Sequence, residues 1–195
     1  MIAVSLKLLP VALAIAWVLR ARPLPSARYR RLLLAGLSCG LLGDALLISP
    51  GRFIAGLVAF LCGHLCYALA FSGEGARPRP ASLAGPLAFA ALVIAALFAD
   101  LGALRIPVLL YVLAIAAMAA LAIDRWRRER TKGAPAPAAR AALGALFFLV
   151  SDALLAWGKF HAPLSPRALH AVLVLGTYYA AQLLLASSVS PDPPR

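Results

Sequence analysis

The sequence predicts an all-α fold in which about seven helices cross a lipid bilayer. Of the 195 residues, 63% are hydrophobic, and the mean hydropathy of +0.90 is far above that of a soluble domain. Long apolar runs alternate with short basic linkers from one end of the chain to the other. We therefore expect a single integral membrane domain over residues 1–195.

Seven segments have the length of a transmembrane helix. A hydrocarbon core of about 30 Å needs roughly 20 apolar residues per helix, and an eighth span is possible only if one segment is split. The predicted spans are 2–19, 31–49, 53–72, 82–99, 104–123, 139–158 and 167–187. Among the linkers, only the Arg-rich stretch from Asp124 to Arg140 has appreciable length. Because Arg20 and Arg22 follow the first segment without a small-residue cleavage pattern, we interpret it as a retained span.

The basic residues predict the orientation of the chain. Lys and Arg number 19 against 7 Asp and Glu, and they cluster between apolar runs, as topology signals do, so we expect no nucleic-acid partner. We interpret the cluster from Arg125 to Arg130 as an anchor for anionic lipid. Five basic residues fall on the side of the N-terminus and fourteen on the other, which predicts an external N-terminus and a cytoplasmic C-terminus. The fourteen are Arg20, Arg22, Arg28, Arg30, Arg31, Arg77, Arg79, Arg125, Arg127, Arg128, Arg130, Lys132, Arg140 and Arg195.

Two acidic residues stand inside predicted spans, Asp44 in the second and Asp152 in the sixth. An ionised Asp at the centre of a span costs about 2.5 to 3.5 kcal/mol, so it persists where it faces a protein interior or water and usually has a function. Each lies about 13 residues from the basic end of its helix, and therefore at the same depth. Two carboxylates at one depth can share a cavity. The alternative is that each only accepts hydrogen bonds from neighbours such as Lys7 or a tyrosine.

A weak internal repeat surrounds the two acids. Residues 43–47 (Gly-Asp-Ala-Leu-Leu) match residues 151–155 (Ser-Asp-Ala-Leu-Leu), and residues 51–53 (Gly-Arg-Phe) match residues 158–160 (Gly-Lys-Phe). Both spans are predicted to run in the same direction, so the two copies would be parallel. Duplication and convergent use of the motif both remain open.

Polar residues on other spans can accompany the two acids. His64 and Tyr67 lie three residues apart on the third span, and Tyr178 and Gln182 lie four apart on the seventh. Residues at these spacings share a helix face, so we expect both stripes to turn inward. For His64, a hydrogen-bonded interior position is the alternative to a catalytic one.

Several further residues have less specific interpretations. On the second span, Gly36, Gly40 and Gly43 share the face of Asp44, where small residues let another helix approach closely. Lys7 either extends to the outer surface or reaches inward to a carboxylate or phosphate. Tyr111 and Met118 share a face of the fifth span, where packing in the core is the simpler interpretation for Met118.

Four motifs, in their order and spacing, resemble the YhhN-like (lysoplasmalogenase) family. They are Gly-Asp-Ala-Leu-Leu at 43–47, Gly-His-Leu-Cys-Tyr at 63–67, Phe-Phe-Leu-Val-Ser-Asp-Ala-Leu-Leu-Ala at 147–156 and Tyr-Tyr-Ala-Ala-Gln at 178–182. The resemblance covers essentially the whole chain, although the family is often drawn with eight spans. It implies an enzyme that hydrolyses the vinyl ether of lysoplasmalogens, which releases a fatty aldehyde and glycerophosphocholine or glycerophosphoethanolamine.

The residues suit this chemistry. Protonation of the vinyl-ether carbon β to oxygen gives an oxocarbenium ion, which water captures, and the hemiacetal collapses to aldehyde and alcohol. One protonated acid and one carboxylate suffice, as in glycoside hydrolysis. We expect Asp44 and Asp152 to form this pair, in an order that the sequence does not assign, without a metal or other cofactor. The residues expected to bind or orient substrate and water are His64, Tyr67, Tyr111, Tyr178, Gln182 and Lys7.

The expected partners are the lysophospholipid substrate within the bilayer and membrane lipid, and the sequence sets no oligomeric state. The fatty chain is expected to enter sideways between helices, with its head group near the outer surface. Frequent Ala, Arg and Pro are typical of a bacterium with high genomic GC content, so we expect a multi-pass protein of the bacterial inner membrane.

Other function classes remain open. A proton-coupled transporter also uses Asp and His within the membrane. A metal-dependent lipid amidase of the ceramidase type would use His64, His161 and His170 near a carboxylate, although no His-x-x-x-His pair is present and we expect His161 in an outer loop. A purely structural membrane protein is least compatible with two buried acids.

Overall fold

The computed structural model is helical and describes residues 2–21, 26–73, 78–133 and 135–189. These residues contain seven α-helices and one short 3₁₀ helix, and no β-strand. Each predicted span corresponds to one helix, which confirms the all-α fold class. The helices are α1 (Ile2–Arg20), α2 (Ala27–Ile48), α3 (Phe53–Phe71), α4 (Pro80–Leu97), α5 (Arg105–Thr131), α6 (Ala136–Phe160) and α7 (Arg167–Ser187), with the 3₁₀ helix Gly102–Leu104 before α5.

The helices have the dimensions of membrane spans. In the part of the chain that the structure describes, six helices, α2 to α7, are long and apolar enough to cross a membrane. Helix α1 covers 19 residues, which is also the length of a span. The chain is therefore a multi-pass membrane protein.

The predicted linker between the fifth and sixth spans is wrong over most of its length. Helix α5 continues to Thr131, and α6 begins at Ala136. Arg, Trp and Glu are all compatible with a helix, so α5 persists until it nears Gly133, whose φ of +82° is a conformation that glycine adopts readily. In contrast, α2 ends at Ile48, because Pro50 disfavours helical backbone at the residue before it.

The ends of α1, α3, α5 and α7 and the starts of α2, α4 and α6 lie at one end of the bundle. We call this end the basic end. Arg30, near the start of α2, donates hydrogen bonds to the carbonyls of Val18 at 3.1 Å and Leu19 at 2.5 Å, at the end of α1. The Tyr29 hydroxyl lies 2.6 Å from Oγ of Ser188, which follows α7. Consecutive helices therefore alternate in direction. Of the fourteen basic residues assigned to this side, Arg22, Arg77 and Arg195 lie outside the described residues.

At the opposite end of the bundle, the two copies of the internal repeat contact each other. The rings of Phe53 and Phe160 meet edge to face with centroids 6.0 Å apart. The copies differ locally, because Gly158 lies within α6 whereas Gly51 lies in the turn after α2, with a φ of +78°. The repeat therefore holds at the acids and diverges beyond them.

Candidate functional site

Asp44 and Asp152 line one cavity of about 300 Å³ between α2, α6, α7 and the start of α1. We call it the polar cavity. Its polar lining residues are Lys7, Asp44, Ser151, Asp152, His170, Tyr178 and Tyr179. The two acids, 108 positions apart in the sequence, therefore meet in one space, as their matched depth predicted.

Two side chains, Tyr111 and His64, converge on a single oxygen of Asp152. The Tyr111 hydroxyl donates to Oδ2 at 2.5 Å. Nε2 of His64 lies 3.1 Å from the same Oδ2 and 2.9 Å from the Tyr111 hydroxyl oxygen. With its proton on Nε2, the His64 ring donates to this pair. His64 is 1% exposed and the Asp152 side chain 14% exposed, so the acid faces the cavity while its donors stay buried.

Asp44 stands at the end of a chain of hydrogen bonds. The Tyr178 hydroxyl donates to Asp44 Oδ2 at 2.7 Å and accepts from Nε2 of Gln182 at 2.9 Å. Oε1 of Gln182 in turn accepts from the Tyr67 hydroxyl at 3.0 Å. Every proton in this chain points towards the carboxylate. The structure thus joins the predicted polar stripes of α3 and α7.

The small residues of α2 make room for these networks. A Cβ atom at Gly40 would lie 2.7 Å from Nε2 of Gln182, and one at Gly36 would overlap the Tyr67 ring. At Gly43 a Cβ would lie 2.7 Å from the Phe60 ring. The expected packing role of this glycine face is confirmed, because α2 approaches the polar side chains more closely than a side chain would permit.

Phe148, which the sequence analysis did not identify, lies between the two networks. Its ring centroid is 5.2 Å from that of His64, 5.9 Å from Tyr67 and 5.6 Å from Tyr178. It lies one helical turn before Asp152 on α6 and is 1% exposed. This spacing and its place in the motif at 147–156 are the sequence signals that could have placed it beside the acid. Phe148 therefore packs against His64, which contacts Asp152, and against Tyr178, which donates to Asp44.

A second, smaller cavity of about 50 Å³ adjoins the polar cavity. We call it the apolar cavity. Both cavities share Leu47, Phe60, Asp152 and Leu155, so Asp152 lies at the boundary between them. The other residues that line the apolar cavity are almost all apolar and include Phe53, Leu57, Phe89, Ala90, Val93, Val108, Val112, Ile115, Ala156 and Phe160.

The three histidines do not come together. His64 contacts Asp152, and His170 lines the polar cavity. His161 follows the last residue of α6, as expected for a loop position, and its Nδ1 lies 2.8 Å from Oδ2 of Asp100. Among the described residues, no three His, Cys, Asp or Glu side chains form a possible metal-binding group.

A third buried acid, Asp124, was also missed. It is fully buried near the basic end of α5 and forms an ion pair with Arg128. Its Oδ1 accepts from the backbone N–H of Arg79 at 3.2 Å and from the Ser82 hydroxyl at 3.3 Å. The spacing of Asp124 and Arg128, four residues apart, was the available signal.

The fold and the site define a multi-pass helical membrane protein with paired carboxylates in an internal cavity. The YhhN family profile matches residues 2–189. This chain belongs to the YhhN family, as its motifs indicated.

Similar proteins include lysoplasmalogenases from animals and bacteria. The chain is 38% identical over 172 residues to the lysoplasmalogenase TMEM86B of Homo sapiens, covering 87% of this chain and 68% of that protein. It is 37% identical over 169 residues to the lysoplasmalogenase TMEM86A of Homo sapiens, covering 78% and 62%. A lysoplasmalogenase of Mycobacterium tuberculosis is 32% identical over 173 residues, covering 84% and 62%. The chain therefore spans about two thirds of the length of these relatives, and no solved structure matches it significantly.

Proposed function

We propose that this protein is a lysoplasmalogenase, which hydrolyses the vinyl ether of lysoplasmenyl-ethanolamine and lysoplasmenyl-choline. The products are a fatty aldehyde and the glycerophospho alcohol. The observation that carries the proposal is the pair of Asp44 and Asp152 in one cavity, in a chain similar over most of its length to lysoplasmalogenases. An acid and a carboxylate on one cavity wall are what vinyl-ether hydrolysis requires.

The hydrogen bonds favour different roles for the two acids. The Tyr111 hydroxyl and Nε2 of His64 converge on one oxygen of Asp152, and with the His64 proton on Nε2 both donate to it, an arrangement suited to a carboxylate. Asp44 accepts one hydroxyl on Oδ2, so its other oxygen can carry a proton. We assign Asp44 as the proton donor and Asp152 as the base that also stabilises positive charge.

The catalytic cycle then returns both acids to their starting forms. Asp44 protonates the vinyl carbon β to oxygen, and the resulting oxocarbenium ion is stabilised by the Asp152 carboxylate. Asp152 takes a proton from the attacking water, which adds to the cation to give a hemiacetal. Asp44 then removes the hemiacetal hydroxyl proton while Asp152 protonates the departing glycerol oxygen. The aldehyde and the alcohol leave, with Asp44 protonated and Asp152 ionised.

The polar cavity also suits the head group. Lys7 and His170 line it together with Asp44, and an ammonium group is a suitable partner for a phosphate. Tyr179 donates to the backbone carbonyl of Lys7 at 3.0 Å, which ties the start of α1 to α7. In this proposal Lys7 binds the phosphodiester while the acids meet the vinyl ether.

We place the protein in a bacterial inner membrane, with the basic end in the cytoplasm. The gathering of Arg30, Arg125 and Arg128 at one end supports this orientation under the positive-inside rule. The polar cavity, lined by Lys7 from the first turns of α1, is then closer to the outer side.

Aldehyde release from the purified protein tests the proposal. Wild type, Asp44→Asn and Asp152→Asn are assayed in detergent with both lysoplasmenyl lipids, with and without a chelator. Aldehyde from wild type alone, unchanged by the chelator, is the expected result. No aldehyde from a folded wild type would refute the substrate assignment, and full activity in both variants would refute the mechanism. A pH-gradient-dependent uptake by proteoliposomes without aldehyde would indicate a transporter instead.

A further inference from the structure

We propose that the apolar cavity and the cleft between α3 and α4 bind the hydrocarbon chain of the substrate, with the vinyl ether held at Asp152. This inference rests on the proposed function and adds to it a path for the lipid. The head group then lies in the polar cavity, and the chain leaves that cavity past Asp152.

The first argument is continuity between the two cavities. Asp152 and Phe60 line both of them, so a molecule that extends from one cavity to the other passes the acid. The polar cavity carries Lys7 and His170, whereas the apolar cavity carries Phe89, Ala90 and Val93. A lysolipid has the same division, with a charged head on one side of the ether and a hydrocarbon chain on the other. Substrate and site therefore match in polarity when the ether lies at the boundary.

The second argument is the arrangement of the helices. Within the described residues, α3 and α4 both pack against α5 but not against each other. The apolar cavity takes lining residues from both, including Leu57 of α3 and Ala90 of α4, with α5 and α6 behind them. Nearby side chains on these helices face the bilayer, such as Val58, 52% exposed, and Leu92, 68% exposed. The cleft between α3 and α4 is thus a sideways opening towards lipid.

The third argument is the size of the apolar cavity. The edge-to-face pair of Phe53 and Phe160 forms part of its lining, with Nζ of Lys159 4.8 Å from the Phe53 ring centroid. At about 50 Å³ the cavity is far smaller than a fatty chain. The cavity therefore holds only the carbons next to the vinyl ether, and the remaining chain extends through the α3–α4 cleft into the bilayer.

The decisive experiment fills the cavity from α4 and compares long and short substrates. Ala90, 4% exposed, lines the cavity, whereas Leu92 on the same helix faces lipid. Ala90→Phe and the matched control Leu92→Phe are assayed with a 16-carbon lysoplasmenyl-ethanolamine and with an analogue whose alkenyl chain has four carbons. Because a mismatch of one methylene in an apolar pocket changes kcat/KM by about tenfold or more, we expect at least that loss for Ala90→Phe on the long substrate. We expect a smaller loss on the short one, because only two of its carbons extend beyond the vinyl group, and no change for Leu92→Phe on either.

A binding measurement separates this inference from the proposed function. A saturated 1-O-alkyl lysophosphatidylethanolamine with a photoreactive diazirine in its chain cannot be hydrolysed, and crosslinked peptides report where the chain lies. Labelling of α3 and α4 that Ala90→Phe reduces and Leu92→Phe leaves intact would support the path, even if wild type releases no aldehyde. Labelling confined to other helices, or equal kcat/KM for Ala90→Phe and wild type on the long substrate, would overturn it.

Discussion

Asp124 and Asp152 are both acidic residues within helices, and their surroundings differ in kind. Asp124 is fully buried, and an arginine, a backbone N–H and a hydroxyl neutralise and solvate it. Asp152 is 14% exposed to a cavity, and its hydrogen-bond partners among the described residues are a tyrosine and a histidine. Asp44 resembles Asp152, with Tyr178 as its donor and the same cavity in front of it.

Under the proposed function, the contrast is between one structural acid and two acids assigned to the reaction. A buried carboxylate that is paired with a cation and fully hydrogen-bonded has no capacity left for a substrate, so its contribution is to hold helices together. A carboxylate that faces a cavity and lacks a bonded cation keeps an oxygen available for proton transfer. In this chain, Asp124 joins α5 to the start of α4, while Asp44 and Asp152 are available for chemistry.

The largest expected effect is on turnover. Asp44→Asn and Asp152→Asn each remove a proton-transfer group, so we expect kcat to fall by about 10²- to 10⁴-fold. The melting temperature in detergent should change little, because Asn can still accept the existing hydrogen bonds. Steady-state aldehyde release and thermal unfolding on the same preparations measure both quantities. If either variant unfolds instead of losing turnover as a folded protein, that acid has a structural role like that of Asp124.

The second effect is on stability. Asp124→Asn leaves the Arg128 guanidinium without its carboxylate, and breaking a buried pair in this way costs about 3 kcal/mol. Glu129→Gln is the matched control on the same helix, because its partner Lys132 is 67% exposed and exposed pairs contribute little. Thermal unfolding should show a clear loss for the first variant only. Activity per folded molecule should stay at the wild-type level in both, and a selective loss of kcat in Asp124→Asn would undo the distinction between the two kinds of acid.

The sequence predicted the helices well because their signal is compositional. Each span is a long apolar run, and such runs need no knowledge of partners. The error at the end of α5 arose because charge was taken as the end of the helix, whereas the helix ends near Gly133, beyond the membrane segment. Asp124 was missed for the same reason, since it was counted within a linker that is in fact helical.

The third effect concerns the donors on the acids. Removal of a hydrogen bond to a charged group costs about 1.5 to 3 kcal/mol, so Tyr111→Phe should lower kcat by about tenfold or more. Tyr178→Phe should have an effect of similar size through Asp44. Tyr179→Phe is the control, because its hydroxyl contacts a backbone carbonyl and not an acid. Equal kcat values for all three variants and wild type would show that the donors do not tune the carboxylates.

Asp44 and Asp152 stand out in the sequence by their charge and matched depth, and the polar residues around them were predictable mainly where helical spacing brought them to one face. His64 with Tyr67, and Tyr178 with Gln182, lie at such spacings, and the structure buries all four. Spacing within one helix does not state which neighbour will be met, so the connection from Tyr67 through Gln182 to Asp44 was not foreseeable. Phe148 escaped for a related reason: an aromatic residue in an apolar run is ordinary until its contacts are known.

A fourth effect tests how closely α2 must approach the network. Gly40→Ala places a methyl group 2.7 Å from Nε2 of Gln182, and overpacking of this kind costs about 1 to 3 kcal/mol. We expect a lower melting temperature together with reduced kcat, because Gln182 orients Tyr178. Gly176→Ala on α7 is the control, since no atom lies within 4 Å of the added Cβ. A destabilised Gly40→Ala with unchanged kcat would show that the network beyond Tyr178 is purely structural.

The smallest expected effect concerns the head group. Lys7 lines the cavity of the reactive acids without forming an ion pair with either among the described contacts, unlike Arg128 beside Asp124. If its charge meets the substrate phosphate, Lys7→Gln should raise KM by about three- to tenfold with kcat nearly unchanged, because the contact is present in both the ground and transition states. The effect should shrink on a substrate analogue without phosphate. A fall in kcat with unchanged KM would instead show that Lys7 acts beside Asp44 in the chemical step. Asp44 would then have a cationic partner, as Asp124 has in Arg128.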